Sequence, residues 1–200
     1  MSKIKDNSGV LIQGHIKIHD PESDKVFVDK RNAIHYENMS VALAESVANQ
    51  GQGFINSMSF GNGGTSVDPT GIITYLTPNS TGTNATLYNQ TYTKIVDDRS
   101  VSNLDPQRNK IETRHINGTN YTDVVVTCLL DYGEPNGQDA VDGASASDSL
   151  YVFDELGLVS YAPSGAGKLL THVIFHPVQK SLNRLIQIDY TVRVQSLTGF

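Results

Sequence analysis

The chain of 200 residues is long enough for one domain with a sizeable apolar core. Its formal net charge of −6 at pH 7 argues against a nucleic-acid binder, which needs a basic face for the phosphates. Abundant Gly, Asn, Ser and Thr separate runs of β-branched residues, and this composition favours β-strands joined by long turns.

The sequence shows no export signal and no membrane-spanning stretch. The first residues, 1–6, lack the apolar run of a signal peptide, and no segment approaches the ~20 apolar residues of a membrane helix. We therefore expect a protein made in a cytosol, without membrane contact. The single cysteine, Cys128, has no partner for a disulfide within the chain, and its apolar neighbours predict a buried thiol.

A hairpin is predicted over residues 13–29, after a polar and flexible segment 1–9. Ile16 and Ile18 alternate with polar residues, and this period of two is typical of a half-buried strand. Residues 20–24, Asp-Pro-Glu-Ser-Asp, then form a turn, because Pro fixes φ while Asp and Ser side chains accept from local amides.

One helix follows. Asn38 is the predicted N-cap, and Asn49-Gln-Gly51 the predicted stop. Apolar residues between them recur at helical spacing, so that the helix should lie against a sheet. These residues are Met39, Ala42, Leu43, Val47 and Ala48.

The middle of the chain alternates short strands with two long loops. Residues 54–60 predict a strand that enters the turn 61–64 and a polar excursion, whereas the segment 87–96 fits either a strand or a short helix. Residues 111–116 and 123–130 predict an antiparallel pair, because Asn117-Gly118 between them is a strong hairpin signal. The second long loop is 133–148.

The clearest strand closes the chain, over residues 185–194. Its apolar residues alternate with polar ones throughout, after the apolar segments 150–158 and 168–175. The alternating set is Ile186, Ile188, Tyr190, Val192 and Val194. Together these elements predict a mainly β fold, an antiparallel β-sandwich with one short packed helix and two long loops. We expect a single domain, with residues 10–53 as hairpin and helix, 54–194 as sandwich core and 195–200 as a tail.

Several motifs that resemble catalytic or ligand sites have simpler interpretations. Residues 163–168 lack the first Gly and the Ser/Thr of a phosphate loop and lead into a strand, so a hairpin turn is predicted. His15 and His19, like His172 and His176, stand four apart on predicted strands, about 13 Å. One metal ion cannot bridge that distance, and solvated or interface histidines are expected.

Acidic residues around the second long loop leave two alternatives open. Asp139, Asp142, Asp148, Asp154 and Glu155 either form a solvated acidic cluster or bind calcium, although their spacing matches no specific calcium loop. Asp97-Asp98 lacks an accompanying acid, base or pocket signature. The sequence therefore predicts no catalytic residue, no cofactor and no metal site.

A family resemblance begins at the Gly-Asn-Gly-Gly turn. Five short segments occur in the same order as in tail-fibre-attachment and tail-collar proteins of tailed bacteriophages, and the chain resembles these proteins over about residues 54–194. The segments are Gly61–Gly64, Asp68–Thr70, Leu87–Asn89, Phe153–Leu158 and Lys168–Leu170. The long loop 133–148 departs from the family pattern. The N-terminal hairpin and helix also resemble those of uncharacterised virion proteins of large tailed phages.

The resemblance implies a non-enzymatic structural protein of the virion, assembled in the host cytoplasm. A tail, baseplate or neck-collar position is expected, with a head-decoration protein as one alternative and a carbohydrate- or calcium-binding β-sandwich module as another; a small hydrolase is the least favoured. Expected partners are further copies of the chain and other virion proteins. Residues in the two long loops are expected to make these contacts: Gly61, Asn62, Gly63, Gly64, Asp68, Asn136, Asp139, Asp142 and Asp148.

Overall fold

A computed structural model describes residues 8–135 and 150–198 of the chain. It contains eleven strands and one helix within that part. They are β1 (Ser8–His19), β2 (Val26–Ile34), α1 (Tyr36–Val47), β3 (Ile55–Gly61), β4 (Thr65–Val67), β5 (Ile73–Tyr75), β6 (Gln90–Ile95), β7 (Lys110–His115), β8 (Tyr121–Leu130), β9 (Leu150–Ser160), β10 (Thr171–Ser181) and β11 (Ile186–Thr198). The mainly β prediction with one helix is confirmed.

Nine strands form one antiparallel sheet in the order β6-β3-β9-β10-β2-β1-β11-β8-β7, and β4 and β5 form a separate hairpin. Strands β10 and β2 share only two residue pairs, Thr171 with Ile34 and His172 with Ala33. The sheet thus has a four-stranded and a five-stranded half, which meet at this short contact. Two fully separate sheets, as a sandwich has, are not confirmed, because the β2–β10 contact joins the halves.

The sheet curls around one core that draws side chains from both halves. Its two outermost strands, β6 and β7, are consecutive in the chain and are joined by residues 96–109. Lys94 of β6 donates from Nζ to the carbonyl oxygen of Leu129 in β8 at 2.7 Å and pairs with Glu134. Through this contact the outermost strand β6 lies against β8, which is next to the opposite outermost strand β7.

The predicted alternation of the last strand is confirmed. Ile186, Ile188 and Tyr190 are fully buried and Val192 is 3% exposed, while the residues between them face outward. Each fully buried Ile of this kind stabilises the fold by about 1.5–3 kcal/mol. Strand β11 continues to Thr198 because β1 pairs with it up to that residue, so the predicted 195–200 tail is wrong over its first four positions.

The predicted hairpins are confirmed as well. Strands β1 and β2 pair around the turn after His19, and β7 and β8 pair with His115 opposite Thr122. The segment 163–168 is a turn between β9 and β10, since the Ser160 amide donates to the Lys168 carbonyl oxygen at 2.9 Å. The ambiguous segment 87–96 contains the strand β6.

The helix begins earlier than predicted, and its N-cap is His35 rather than Asn38. His35 Nδ1 accepts the Asn38 backbone N–H at 3.2 Å, which is the role of an N-cap side chain. Asn38 is instead fully buried, and its side-chain amide donates to the Leu169 carbonyl oxygen at 2.9 Å. Met39 and Ala42 face the core as predicted, but Val47 at the last turn is 87% exposed.

Candidate functional site: a buried carboxylate clamp and the arm it holds

The chain between β3 and β6, residues 62–89, forms an arm that carries the β4–β5 hairpin. Glu155, in the middle of β9, is completely buried and binds both ends of this arm. Its Oε1 accepts the amides of Gly63 at 3.1 Å and Asn89 at 2.8 Å. Its Oε2 accepts the Tyr88 amide at 3.0 Å and lies 2.9 Å from His172 Nε2. One carboxylate therefore joins the start of the arm to its end.

The preceding residue, Asp154, is also buried, with 3% of its surface exposed, and binds the next two amides of the arm. Gly64 N–H donates to Oδ1 and Thr65 N–H to Oδ2, each at 2.9 Å, and the Thr65 hydroxyl donates to Oδ2 as well. Ion–dipole hydrogen bonds of this kind are about twice as strong as neutral ones. Together the two carboxylates fix three consecutive amides, at residues 63–65.

His172 of β10 completes the cluster and has a defined tautomer. Its Nδ1 accepts the backbone N–H of Asn79 at 2.8 Å, so that nitrogen carries no proton. Nε2 faces the carboxylate of Glu155 and must therefore donate, which makes the imidazole neutral. Through Asn79, the imidazole holds the middle of the arm. We call Asp154, Glu155 and His172 the clamp.

Burial and hydrogen bonding act on the two carboxylates in opposite directions. Burial acts to raise the pKa of Glu155, but the hydrogen bonds from His172, Asn89, Tyr88 and Gly63 together hold that pKa below its ordinary value. Burial keeps the pKa of Asp154 above its ordinary value in spite of its bonds from Thr65 and Gly64. Folding therefore favours the charged form of Glu155 and disfavours the charged form of Asp154.

The glycines of the predicted 61–64 turn let the backbone approach the clamp. A Cβ on Gly61 would lie 2.5 Å from Glu155 Oε1 and 2.4 Å from the Asn89 carbonyl oxygen, distances that no side chain can occupy. A Cβ on Gly63 would lie 2.7 Å from the Asn89 amide nitrogen. These glycines are therefore required by a close approach, whereas the sequence indicated only a turn.

The hairpin of the arm presents apolar side chains to solvent. Val67 and Ile72 are 62% and 63% exposed, Tyr75 is 50% and Leu76 is 42% exposed. Asp68 is the only charged residue of the arm, and its Oδ1 accepts the Ile72 amide at 2.9 Å and the Thr70 hydroxyl at 2.6 Å. The hydrogen bond from the Thr70 side chain is the main reason that the pKa of Asp68 lies below its ordinary value, so Asp68 closes the turn as a carboxylate.

The structure brings together the predicted residues of the first loop. Gly61, Gly63 and Gly64 contact the clamp, and Asn62 is bonded to Asn89 through its backbone and its side chain. Those predicted in the second loop, Asn136, Asp139, Asp142 and Asp148, lie outside the described residues.

Two predictions about chemistry are wrong. Asp154 and Glu155 do not belong to a solvated acidic cluster or to a calcium site, because their oxygens are occupied by amide and imidazole donors within the sheet. His172 is fully buried rather than solvated. The sequence did contain a signal for the clamp, since two adjacent carboxylates interrupt an otherwise apolar strand, Tyr151 to Val159.

The remaining candidate groups have local partners. His15 pairs with Asp29 at 2.8 Å and His19 with Asp189 at 3.0 Å. Asp97 is buried and accepts from the backbone and side chain of Arg99. Across residues 8–135 and 150–198 no group of His, Cys, Asp and Glu is arranged to hold a metal ion.

Comparisons with protein-family models, with curated proteins and with solved structures found no match for this chain. Over the described ranges, no helix is long and apolar enough to cross a bilayer.

Proposed function

We propose that this chain is a non-enzymatic structural subunit of a tailed-phage virion, at the tail, baseplate or neck, which associates with its own copies and docks on a neighbouring component through the arm. The observation that carries the proposal is the clamp. Three of the segments that resemble tail-fibre-attachment and tail-collar proteins, 61–64, 87–89 and 153–158, converge on the single carboxylate of Glu155. Three of the segments on which the resemblance rests thus meet at one carboxylate in this chain.

The composition of the arm supports a docking role. The cores of protein interfaces are depleted in charge and enriched in aromatic residues, and this arm carries one charge, Asp68, together with exposed Tyr75 and Tyr88. An exposed apolar hairpin that is held rigidly loses little conformational entropy on binding. Buried ionic hydrogen bonds that order a surface hairpin are therefore consistent with a preorganised docking element.

A carbohydrate- or calcium-binding module is the competing class, and the clamp does not support it. The carboxylates that could have extended the acidic loop, Asp154 and Glu155, already accept seven donors between them. A head-decoration subunit of the same particle would use the arm in the same way, and it remains the alternative position.

The test is the protein content of purified particles. Tailed-phage particles from the source of the sequence are purified on a density gradient, separated into heads and tails, and analysed by mass spectrometry. We expect the chain in the tail fraction at a fixed stoichiometry; its presence only in heads favours decoration, and its absence from particles refutes the proposal.

The docking role of the arm has its own matched variants. Val67→Asp places a charge on the exposed hairpin, whereas Val101→Asp makes the same change at a fully exposed residue far along the chain. Both variants should fold normally, because neither side chain is buried. We expect Val67→Asp to lower incorporation into particles at least about tenfold and Val101→Asp to leave it unchanged. Equal incorporation of both variants would assign docking to another surface.

A further inference from the structure

The first half of strand β1 has a neighbouring strand on one side only, although β1 lies in the interior of the nine-stranded sheet. Strand β1 pairs with β11 along its whole length, from Ser8 to His19, but with β2 only from Gly14 onward. Throughout the described part of the chain, no other backbone hydrogen bond reaches residues 8–13. The peptide groups on the β2 side of this segment are therefore available to another strand.

This edge lacks the features that normally prevent strand addition. Residues 8–14 contain no charged residue and no proline, and Val10 and Leu11 are 63% and 39% exposed. These two neighbours face opposite sides of the strand, so both faces of the edge are apolar. Edge strands in soluble proteins are usually protected by charges, bulges or covering loops. An edge that is unpaired within the described residues, uncharged and apolar is a template for pairing.

Strand β7, at one end of the sheet, shows the contrast. Lys110, Glu112 and Arg114 alternate along it, and Glu112 pairs with both cations, at 2.9 Å and 2.6 Å. This edge carries the charges that discourage pairing with another strand. The sheet is thus protected at β7 and unprotected at residues 8–13.

We infer that residues 8–13 pair antiparallel with the same residues of a second copy of this chain. Two identical strands paired antiparallel are related by a two-fold axis, so that each donor of one copy meets an acceptor of the other. The edge is consequently complementary to itself. Because the segment carries no charge, the net charge of −6 on each chain is not concentrated at this contact. The pairing would join two curled sheets through β1 of each copy.

The size of the contact sets its strength. Six residues from each copy bury much less than the roughly 1,200 Å² at which stable protein interfaces begin. The isolated pair should therefore associate weakly, with a dissociation constant on the order of 10⁻⁵–10⁻³ M. Stable pairing would require additional contacts that hold the copies together, as in an assembled particle. This contact rests on the proposed function, since it would be the one through which copies of the virion subunit associate.

The test measures association of the purified full chain by sedimentation velocity from about 10 µM to about 500 µM, where a dissociation constant on the order of 10⁻⁵–10⁻³ M populates the dimer at least in part. The wild type should shift from monomer toward dimer over this range. Val10→Lys places a cation on the edge and should weaken dimerisation at least about tenfold. Val47→Lys, the same change at an 87% exposed helix residue, adds equal charge and should leave dimerisation unaltered.

Disulfide trapping locates the contact independently. Cys128 is completely buried, so a cysteine introduced at Val10 or Leu11 is the accessible thiol of the described chain. Under mild oxidation, one of the variants Val10→Cys and Leu11→Cys, the one whose cysteine lies on the two-fold axis, should give covalent dimers, and Val47→Cys should not. A chain that stays monomeric at 500 µM, or a dimer that Val10→Lys leaves intact, overturns the inference.

The two proposals fail separately. If the chain occurs in particles but Val10→Lys associates like the wild type, the β1 contact is wrong and the virion role stands. If the purified chain dimerises through β1 but is absent from particles, the virion role is wrong and the contact stands.

Discussion

Replacing Glu155 by Gln tests the clamp directly. Each carboxylate oxygen of Glu155 accepts two donors, Gly63 and Asn89 on one oxygen and Tyr88 and His172 on the other. A glutamine offers one oxygen and one NH₂ group, so either orientation of its amide leaves two buried donors facing N–H groups. His172 cannot compensate by exchanging its proton, because Nδ1 is occupied by the Asn79 amide.

The magnitude follows from the number of donors lost. A buried donor without an acceptor costs about 1–3 kcal/mol, so two cost about 2–6 kcal/mol. A domain of this size is stable by about 5–15 kcal/mol, so the chain should still fold. The effect should fall on the arm, whose ends and middle the clamp fixes. Its opening should become easier by about 2–6 kcal/mol, which corresponds to amide exchange about 30- to 20,000-fold faster.

Hydrogen exchange read by NMR or mass spectrometry measures this effect at the amides of Gly63, Tyr88 and Asn89. Glu37→Gln is the matched control, since Glu37 also accepts an arm amide, that of Gly82 at 2.8 Å, but near the surface, where water can replace it. We expect less than about a threefold change for the control. Similar exchange in both variants would show that the clamp does not hold the arm.

Three further predictions use other positions. Gly61→Ala should destabilise the protein by more than about 2 kcal/mol in urea unfolding, because its Cβ would meet Glu155 and Asn89, whereas Gly118→Ala, in open space at φ +87°, should cost only about 1 kcal/mol; equal losses would contradict the close approach. Burial of Lys180 lowers its pKa to about 8, so the folded state binds fewer protons than the unfolded state between pH 8 and the ordinary lysine pKa. The free energy of unfolding of the wild type, relative to that of Lys180→Met, should therefore rise with pH across that window, by at most about 3 kcal/mol. If the two free energies changed with pH in the same way, the lowered pKa of Lys180 would be refuted. Cys128 is completely buried, and burial raises the pKa of its thiol to about 12, so a thiol reagent should label it only after unfolding; rapid labelling of the native protein would contradict this burial.

The acid limb of the stability curve should also depend on the clamp. Because the pKa of Glu155 is lowered on folding, the stability it contributes is present above the ordinary glutamate pKa and is lost as the pH falls through the lower, folded value. Asp154, whose pKa is raised on folding, acts in the opposite sense. Glu155→Gln should flatten the acid loss measured by thermal unfolding at pH 3–6, a range around the ordinary carboxyl pKa values.

Elements with a local sequence signal could be predicted without the structure. Alternation predicted β11, Asn117-Gly118 predicted the β7–β8 hairpin, and residues 20–24 predicted the turn between β1 and β2, because a period of two and turn chemistry act within a few residues. The Gly61–Gly64 turn was also visible as a turn. The ends of these elements were harder to predict from the sequence. Strand β11, for example, extends to Thr198 only because β1 supplies a partner there.

The roles of the polar residues in the core could not be predicted from the sequence and follow from the fold. The local sequence predicts an acidic loop at Asp154 and Glu155 and a solvated side chain at His172. It does so because neither burial nor hydrogen-bond partners from distant segments can be recognised in the neighbouring residues. The backbone N–H donors to these three side chains come from residues 63–65, 79 and 88–89, and those that bind Glu155 are more than 65 residues away along the chain. The same holds for the open edge at residues 8–13. Whether a strand has a neighbour depends on the order of strands in the sheet, and that order is set by packing between segments rather than by the strand itself.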